Sequence, residues 1–149
     1  FLKKEINYIK KNWPKKLPKG IIHGDLFPDN VFFKNNNIVG IIDLSNACND
    51  FFCYDLSICI NSWCYEKKLN IDKMKNLIKG YNSIRKIKIQ EIKYLNLFLR
   101  ASSLRFYLSR LMDSQNKKIP KKYKKNPKEY LKKLKYFQVN DVNNYFLWK

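Results

Sequence analysis

Leu2, Ile6, Ile9 and Trp13 return at helical spacing, and Pro14, which lacks a backbone donor, is expected to end that first helix. A loop, "PKKLPKG", follows, and then the apolar pair Ile21-Ile22. "VFFKNNNIVGIID" reads as two short strands about a polar turn, because Asn tolerates the left-handed backbone that tight turns need. Beyond Asp50 the period becomes helical. Leu56, Cys59, Ile60, Trp63 and Cys64 make one apolar face, and Ile71, Met74, Leu77, Ile78 and Tyr81 another.

The stretch from Gln90 to Asp113 is apolar on more than one side and predicts a central buried helix. "NPKEYLKKLKYF" carries its own start signal, with Asn126 as N-cap, Pro127 in the first turn and Glu129 three residues after the cap. Its apolar stripe is Tyr130, Leu131, Leu134 and Phe137. Asn116 to Asn126, lysine-rich and holding Pro120, is expected to be the least ordered stretch. The pattern predicts one domain over residues 1–149, mainly α with a small β-hairpin (α+β). A polar loop and hairpin fall in 20–45 and a helical part in 50–137.

Length and charge bound the function. A chain of 149 residues can bury one sizeable core. Its first residue is Phe1 and it opens directly into a helical pattern, so it is expected to be a piece of a longer protein. No apolar run reaches membrane-spanning length and no signal-peptide pattern appears, which makes a cytoplasmic protein without a membrane partner the expectation. The formal charge of +19 raises the possibility of a basic nucleic-acid-binding helical module. Against it, the arginines are only Arg85, Arg100, Arg105 and Arg110, and the lysines spread along the polar sides of helices. A solvated lysine shell without a specific nucleic-acid site is the preferred expectation. Cys48, Cys53, Cys59 and Cys64 stand at spacings of five, six and five, which fits no zinc ladder and predicts reduced structural thiols.

One stretch departs from the lysine-rich background. "GIIHGDLFPDNVFF" holds the single His of the chain, two Asp residues and an Asn between apolar runs. The order His23-x-Asp25-x-x-x-x-Asn30, then Asp43 after a hairpin, matches the catalytic loop of kinase-like phosphotransferases. Phosphoryl transfer needs a carboxylate to orient and accept the proton of the attacking hydroxyl, a task that suits Asp25. It also needs hard oxygen donors for Mg²⁺, which Asn30 and Asp43 provide. A two-residue turn at Asn36-Asn37 makes cross-strand partners sum to 73, so that Asn30 faces Asp43. Directly opposed residues share a face with Cβ atoms about 5 Å apart. A three-residue turn would leave the two diagonal. His23 reads as a buried residue shaping the loop, and Asp55, opening an apolar helix, as an ordinary N-cap, or as an anchor if the family resemblance described below holds.

These residues resemble a known family. "HGDLFPDNVFF", "IIDLSNACNDFFCYDLSICINSWCYE", "LRFYLSRLMD" and "NPKEYLKKLKYF" look like the C-terminal lobe of the aminoglycoside/choline phosphotransferase-like kinases. Within them, the "ACNDFFCYDLSICINSWCYE" run is similar to the homoserine kinase branch. The resemblance implies the C-terminal lobe of the protein-kinase-like fold, with the N-terminal lobe and its phosphate-holding lysine missing from this chain. It implies ATP and Mg²⁺ as cofactors, Asp25 as catalytic base, Asn30 and Asp43 as metal ligands, and L-homoserine as the small-molecule substrate. Choline or an aminoglycoside is the alternative acceptor. Asn49 and Asp50 are candidate acceptors for a substrate ammonium, and Arg105 or Arg110 for its carboxylate. Their separation of five suggests that one of the two arginines faces the pocket. Ser45-Asn46 departs from the bulkier residues that the family pattern would place there.

Overall fold

A computed structural model describes residues 1–146. Helix α1 (Leu2–Asn12) ends one residue before Trp13, as the proline at position 14 requires. Its stripe is not purely apolar. Glu5, only 3% exposed, receives two hydrogen bonds of 2.8 Å from Arg100 and one from Gln138.

Two small antiparallel sheets follow. Strand β1 (Lys19–Ile22) pairs with β4 (Cys48–Phe51), and β2 (Val31–Lys34) pairs with β3 (Asn37–Ile41). The second sheet is the expected hairpin. The first was not legible, because its strands are 25 residues apart and β4 falls just before the helical part.

The hairpin register differs from the expected one. The turn sits at Asn35-Asn36, both with positive φ (50° and 61°), and Lys34 pairs with Asn37. That is the two-residue, left-handed hairpin turn, one position earlier than expected. A bulge then places Val39 as an extra residue, since Phe33 pairs with Ile38 but Phe32 pairs with Gly40. Beyond it Val31 pairs with Ile41, and the Ile42 amide donates to the Asn30 carbonyl at 3.0 Å. Asn30 therefore faces Ile42, and Asp43 is one step further along.

The helical part is built on α5 (Leu95–Gln115), the predicted central helix, with α4 (Ile89–Lys93) as a separate short turn before it. Helices α2 (Phe52–Trp63) and α6 (Lys128–Val139) pack on α5 from two sides, and α3 (Ile71–Ile84) covers α2. Phe98 and Leu99 on α5, Ile60 on α2, Met74 on α3 and Phe137 on α6 share one core with zero exposure. Trp13 caps it, its ring edge-on to Phe98 at 5.2 Å. Small polar residues let α2 and α5 approach: Asn61 Nδ2 donates to Ser102 Oγ (2.8 Å), Ser103 Oγ (3.1 Å) and the Leu99 carbonyl (3.2 Å). Among the described residues, no helix is long and apolar enough to cross a membrane.

Two expectations about polarity are corrected. Lys133, expected among the solvated lysines, is 2% exposed; it donates to the Asn61 carbonyl at 2.8 Å and lies over the Tyr130 ring at 4.3 Å. Glu129 does not close a capping box. It bridges Arg110 and Lys133, at 2.6 and 2.7 Å, while Asn126 Oδ1 accepts the Lys128 amide. The four cysteines are free; burial pushes the Cys53 thiol up to about 12 and the Cys64 thiol to about 11.

On the hairpin side of the molecule, an apolar groove of about 610 Å³ opens between β1, the hairpin, α2 and α3. Ile21, Phe33, Ile38 and Ile41 line it and remain between 49% and 77% exposed.

Candidate active site

The loop from His23 to Asn30 is fixed by contacts to almost everything around it. Asp55, on the first turn of α2, turns away from its own helix and accepts the amides of His23 (3.1 Å) and Gly24 (2.9 Å). Of the two roles open to Asp55, the anchor is the one its contacts describe. His23 accepts the Asp25 amide on Nδ1, which leaves Nε2–H to donate to the Ile42 carbonyl at 3.0 Å. The imidazole thus ties the loop to the end of the hairpin. Trp63 Nε1 donates to the Leu26 carbonyl at 2.9 Å, holding the middle of the loop against α2.

Gly24 is required by geometry. Its φ of +75° is left-handed, and a Cβ there would lie 2.6 Å from the Asn46 carbonyl oxygen. Arg105 of α5 closes the same point, donating to the Gly24 carbonyl (2.6 Å) and to Asn46 Oδ1 (2.9 Å). One arginine therefore spans the 23–30 loop and the turn after the hairpin.

The loop ends in a 3₁₀ turn over Pro28–Asn30 that delivers Asn30 beside Asp25. Asn30 Nδ2 donates to the Asp25 main-chain carbonyl at 2.9 Å, which leaves Asn30 Oδ1 without a donor among the described residues. Asp43 has a left-handed backbone (φ 62°, ψ 67°) and accepts the Ser45 hydroxyl and amide on Oδ1 only. Its second oxygen is open. The bulge and this left-handed residue bring Asn30 and Asp43 to one pocket despite the shifted register.

That pocket measures about 320 Å³. Asp25, Asn30 and Asp43 line it together with Arg105, Ser109, Arg110 and Asp113 of α5 and with Tyr123 and Lys125. Both arginines line it, correcting the expectation of one. Arg110 is held by Glu129, and Arg105 by neutral oxygens. Asn49 and Asp50 do not line it. They sit on β4 opposite Ile21 and Gly20, and Asp50 Oδ1 accepts the Phe51 amide at 2.7 Å.

Six polar lining residues were missed by sequence reasoning: Asp29, Asn46, Ser109, Asp113, Tyr123 and Lys125. Asn46 was noted only as a departure from a pattern, and Asp29 only as one of the two Asp residues of the 20–33 stretch. Lys125 and Tyr123 lie in the stretch expected to be least ordered and line the pocket, with Lys125 Nζ bound to Asp29 Oδ2 at 2.8 Å. A link across 96 residues leaves no local signal.

The electrostatics separate the two central carboxylates. Burial raises the Asp25 pKa above the ordinary aspartate range; the Arg105 charge opposes this and the Asp43 charge adds to it. Asp43 moves the other way, lowered chiefly by the Ser45 hydroxyl. A half-buried base beside an exposed, ionised carboxylate suits proton acceptance at one and cation binding at the other. The open oxygens of Asn30 and Asp43 fit Mg²⁺, which takes few protein ligands and completes its shell with water and phosphate.

A family model described as a phosphotransferase enzyme family matches residues 1–83, more than half of the 149. This chain belongs to that family. The match covers the loop, the hairpin and α2, and with them Asp25, Asn30, Asp43 and Asp55. The chain is also 52% identical over 111 residues to a homoserine kinase of Rhizobium meliloti, covering 73% of this chain and 34% of that protein. A homoserine kinase of Agrobacterium fabrum is 49% identical over 114 residues (75% and 35%), and one of Nitrobacter hamburgensis 46% identical over 118 (78% and 36%). The chain spans about a third of the length of these curated relatives.

Proposed function

We propose that this chain is the catalytic lobe of a protein-kinase-like homoserine kinase, which phosphorylates the side-chain hydroxyl of L-homoserine with ATP to give O-phospho-L-homoserine for threonine biosynthesis. The observation that carries the proposal is the convergence of Asp25, Asn30 and Asp43 on one polar pocket, in a chain about half identical to proteins named homoserine kinase.

Asp25 accepts the proton of the substrate hydroxyl as its oxygen attacks the γ-phosphorus, and ADP leaves with the bond to its terminal oxygen broken. Asn30 Oδ1 and Asp43 Oδ2 would hold Mg²⁺, which supplies charge neutralisation on the phosphates. His23, Asp55 and Arg105 keep Asp25 and Asn30 at fixed separation from the attacking atom, and such positioning is the larger part of this chemistry. The grip on the remaining phosphates and the base comes from the part of the enzyme that this chain does not span.

A chimaera tests the proposal: this chain replaces the matching segment of the Rhizobium meliloti enzyme. Offered homoserine, choline, methylthioribose and an aminoglycoside with ATP and Mg²⁺, it should prefer homoserine in kcat/KM. A folded, nucleotide-binding chimaera that prefers choline or the aminoglycoside overturns the choice of substrate.

A further inference from the structure

Three cations line the polar pocket: Arg105, Arg110 and Lys125. Two of them are neutralised, Arg110 by Glu129 and Lys125 by Asp29. Arg105 is not. The other three arginines of the chain all hold an ion pair, Arg85 with Glu91, Arg100 with Glu5 and Arg110 with Glu129, and Arg105 has none among the described residues. Its partners are neutral oxygens: the Gly24 carbonyl, Asn46 Oδ1 and the Tyr54 hydroxyl. A guanidinium carries five N–H donors, so donors remain for a further acceptor. A half-buried cation whose bonds all go to neutral groups gains most from an incoming anion.

The chain itself bounds the distance from Arg105 to Asp25. Nη1 lies 2.6 Å from the Gly24 carbonyl oxygen, which belongs to the peptide joining Gly24 to Asp25. Across a planar trans peptide that oxygen is about 3 Å from the next Cα, and an aspartate carboxylate reaches about 3.5 Å beyond its own Cα. Nη1 therefore stands within about 9 Å of the Asp25 oxygens. In L-homoserine the hydroxyl oxygen and a carboxylate oxygen are five bonds apart, a span of at most about 6 Å. A hydrogen bond of about 2.8 Å at each end extends the reach to about 11 Å. One homoserine can thus place its hydroxyl on Asp25 and its carboxylate on Arg105.

We infer that Arg105 holds the carboxylate of the substrate, so that the pocket selects alcohols bearing an anionic group about one homoserine length from the hydroxyl. The inference rests on the kinase reading, which puts the hydroxyl at Asp25. It goes further in choosing between the two pocket arginines and in giving the site a reason to reject choline, which has no carboxylate and would bring a second cation to an uncompensated one. The transferred phosphoryl group is the rival anion. A carboxylate distinguishes one acceptor alcohol from another, whereas the phosphoryl group is common to all of them.

The test compares L-homoserine with 3-aminopropan-1-ol, which keeps the hydroxyl and the ammonium and lacks only the carboxylate. Both are assayed with the chimaera and with its Arg105→Gln, Arg105→Lys and Arg110→Gln variants. The parent should favour homoserine at least tenfold in kcat/KM, a comparison that needs no variant to fold. Arg105→Gln should bring the ratio to within threefold of unity, Arg105→Lys should keep part of it, and Arg110→Gln should leave it above tenfold. Loss of loop positioning in the Arg105 variants lowers kcat for both alcohols alike and cancels from the ratio. No preference in the parent, a ratio that survives Arg105→Gln, or one that collapses only in Arg110→Gln overturns the inference. Failure of the kinase reading is seen separately, as a chimaera that prefers choline to homoserine. In that case competitive inhibition by 4-hydroxybutyrate that weakens at least tenfold in Arg105→Gln keeps the anion site, and inhibition unaltered by the substitution removes it.

Discussion

The carboxylate of Asp55 accepts the amide of Gly24 at 2.9 Å, and this bond from a helix to a loop sets where Asp25 stands. A single side chain on α2 thereby holds the backbone one residue before the proposed base. Asp55→Ala should leave two part-buried amides without acceptors, costing about 2–4 kcal/mol of unfolding free energy in a denaturant titration. In the chimaera, kcat should fall more than nucleotide affinity; a variant equal to the parent in both would remove Asp55 from the machinery.

Gly24 should tolerate no side chain. The left-handed φ and the Asn46 carbonyl at 2.6 Å from a built Cβ predict that Gly24→Ala destabilises by about 1–3 kcal/mol. Wild-type stability in that variant would mean that the loop adopts another backbone path.

Asp25→Asn should cut kcat of the chimaera by about 10²–10⁴-fold while nucleotide still binds. Because burial raises the Asp25 pKa, the base is lost to protonation at a higher pH than an ordinary aspartate would be. The acid limb of the kcat/KM profile should shift accordingly. Neutralising Arg105, whose charge pulls that pKa down, should move the limb further up in pH; a limb that stays put assigns it to another group.

Glu5 offers a stability test away from the site. Burial raises its pKa, but the hydrogen bonds from Arg100 and Gln138 and the Arg100 charge outweigh it, and the net shift is downward. A folded pKa below the unfolded one means the stabilisation is complete above the ordinary glutamate range and is lost as pH falls through the folded value. Glu5→Gln strands Arg100, 12% exposed, and should cost about 3–5 kcal/mol at neutral pH. Less than 1 kcal/mol by thermal or denaturant unfolding would show that the pair is solvated.

Tyr130 should behave in the opposite way. It is fully buried against Phe106 and Phe27, and its hydroxyl has no partner among the described residues. Tyr130→Phe removes an unsatisfied polar atom without changing the packing, so it should be neutral or raise stability by about 1 kcal/mol. A clear loss would reveal a hydrogen bond made through ordered water.

Long periodic segments made the helices legible: α1, α2, α3, α5 and α6 follow from where Leu, Ile, Met, Trp and aromatic residues recur. The hairpin was legible as an element but not in register. "NIVGII" has no alternation of polar and apolar residues, so nothing in it resists a one-residue slip, and the turn at Asn35-Asn36, the bulge at Val39 and the left-handed Asp43 each move the frame. Asp25, Asn30 and Asp43 could be proposed because their order in the chain is itself a signal. Asp29, Lys125 and Asp113 could not, since their meaning arises only when α5 and the 116–126 segment fold over the loop. Lys133 escaped for a related reason: its burial depends on Asn61, 72 residues earlier.

The groove beside the hairpin has a consequence for handling the isolated chain. Ile21, Phe33, Ile38 and Ile41 present oily surface to water on a particle carrying a formal charge of +19. At low ionic strength mutual repulsion keeps such particles apart, but the screening length shrinks from about 10 Å at 0.1 M salt to about 3 Å at 1 M. Once the repulsion no longer outreaches contact, the grooves can meet face to face. The colloidal limit of this lobe should therefore be set by salt rather than by unfolding, with light scattering rising while the helical circular dichroism signal stays constant.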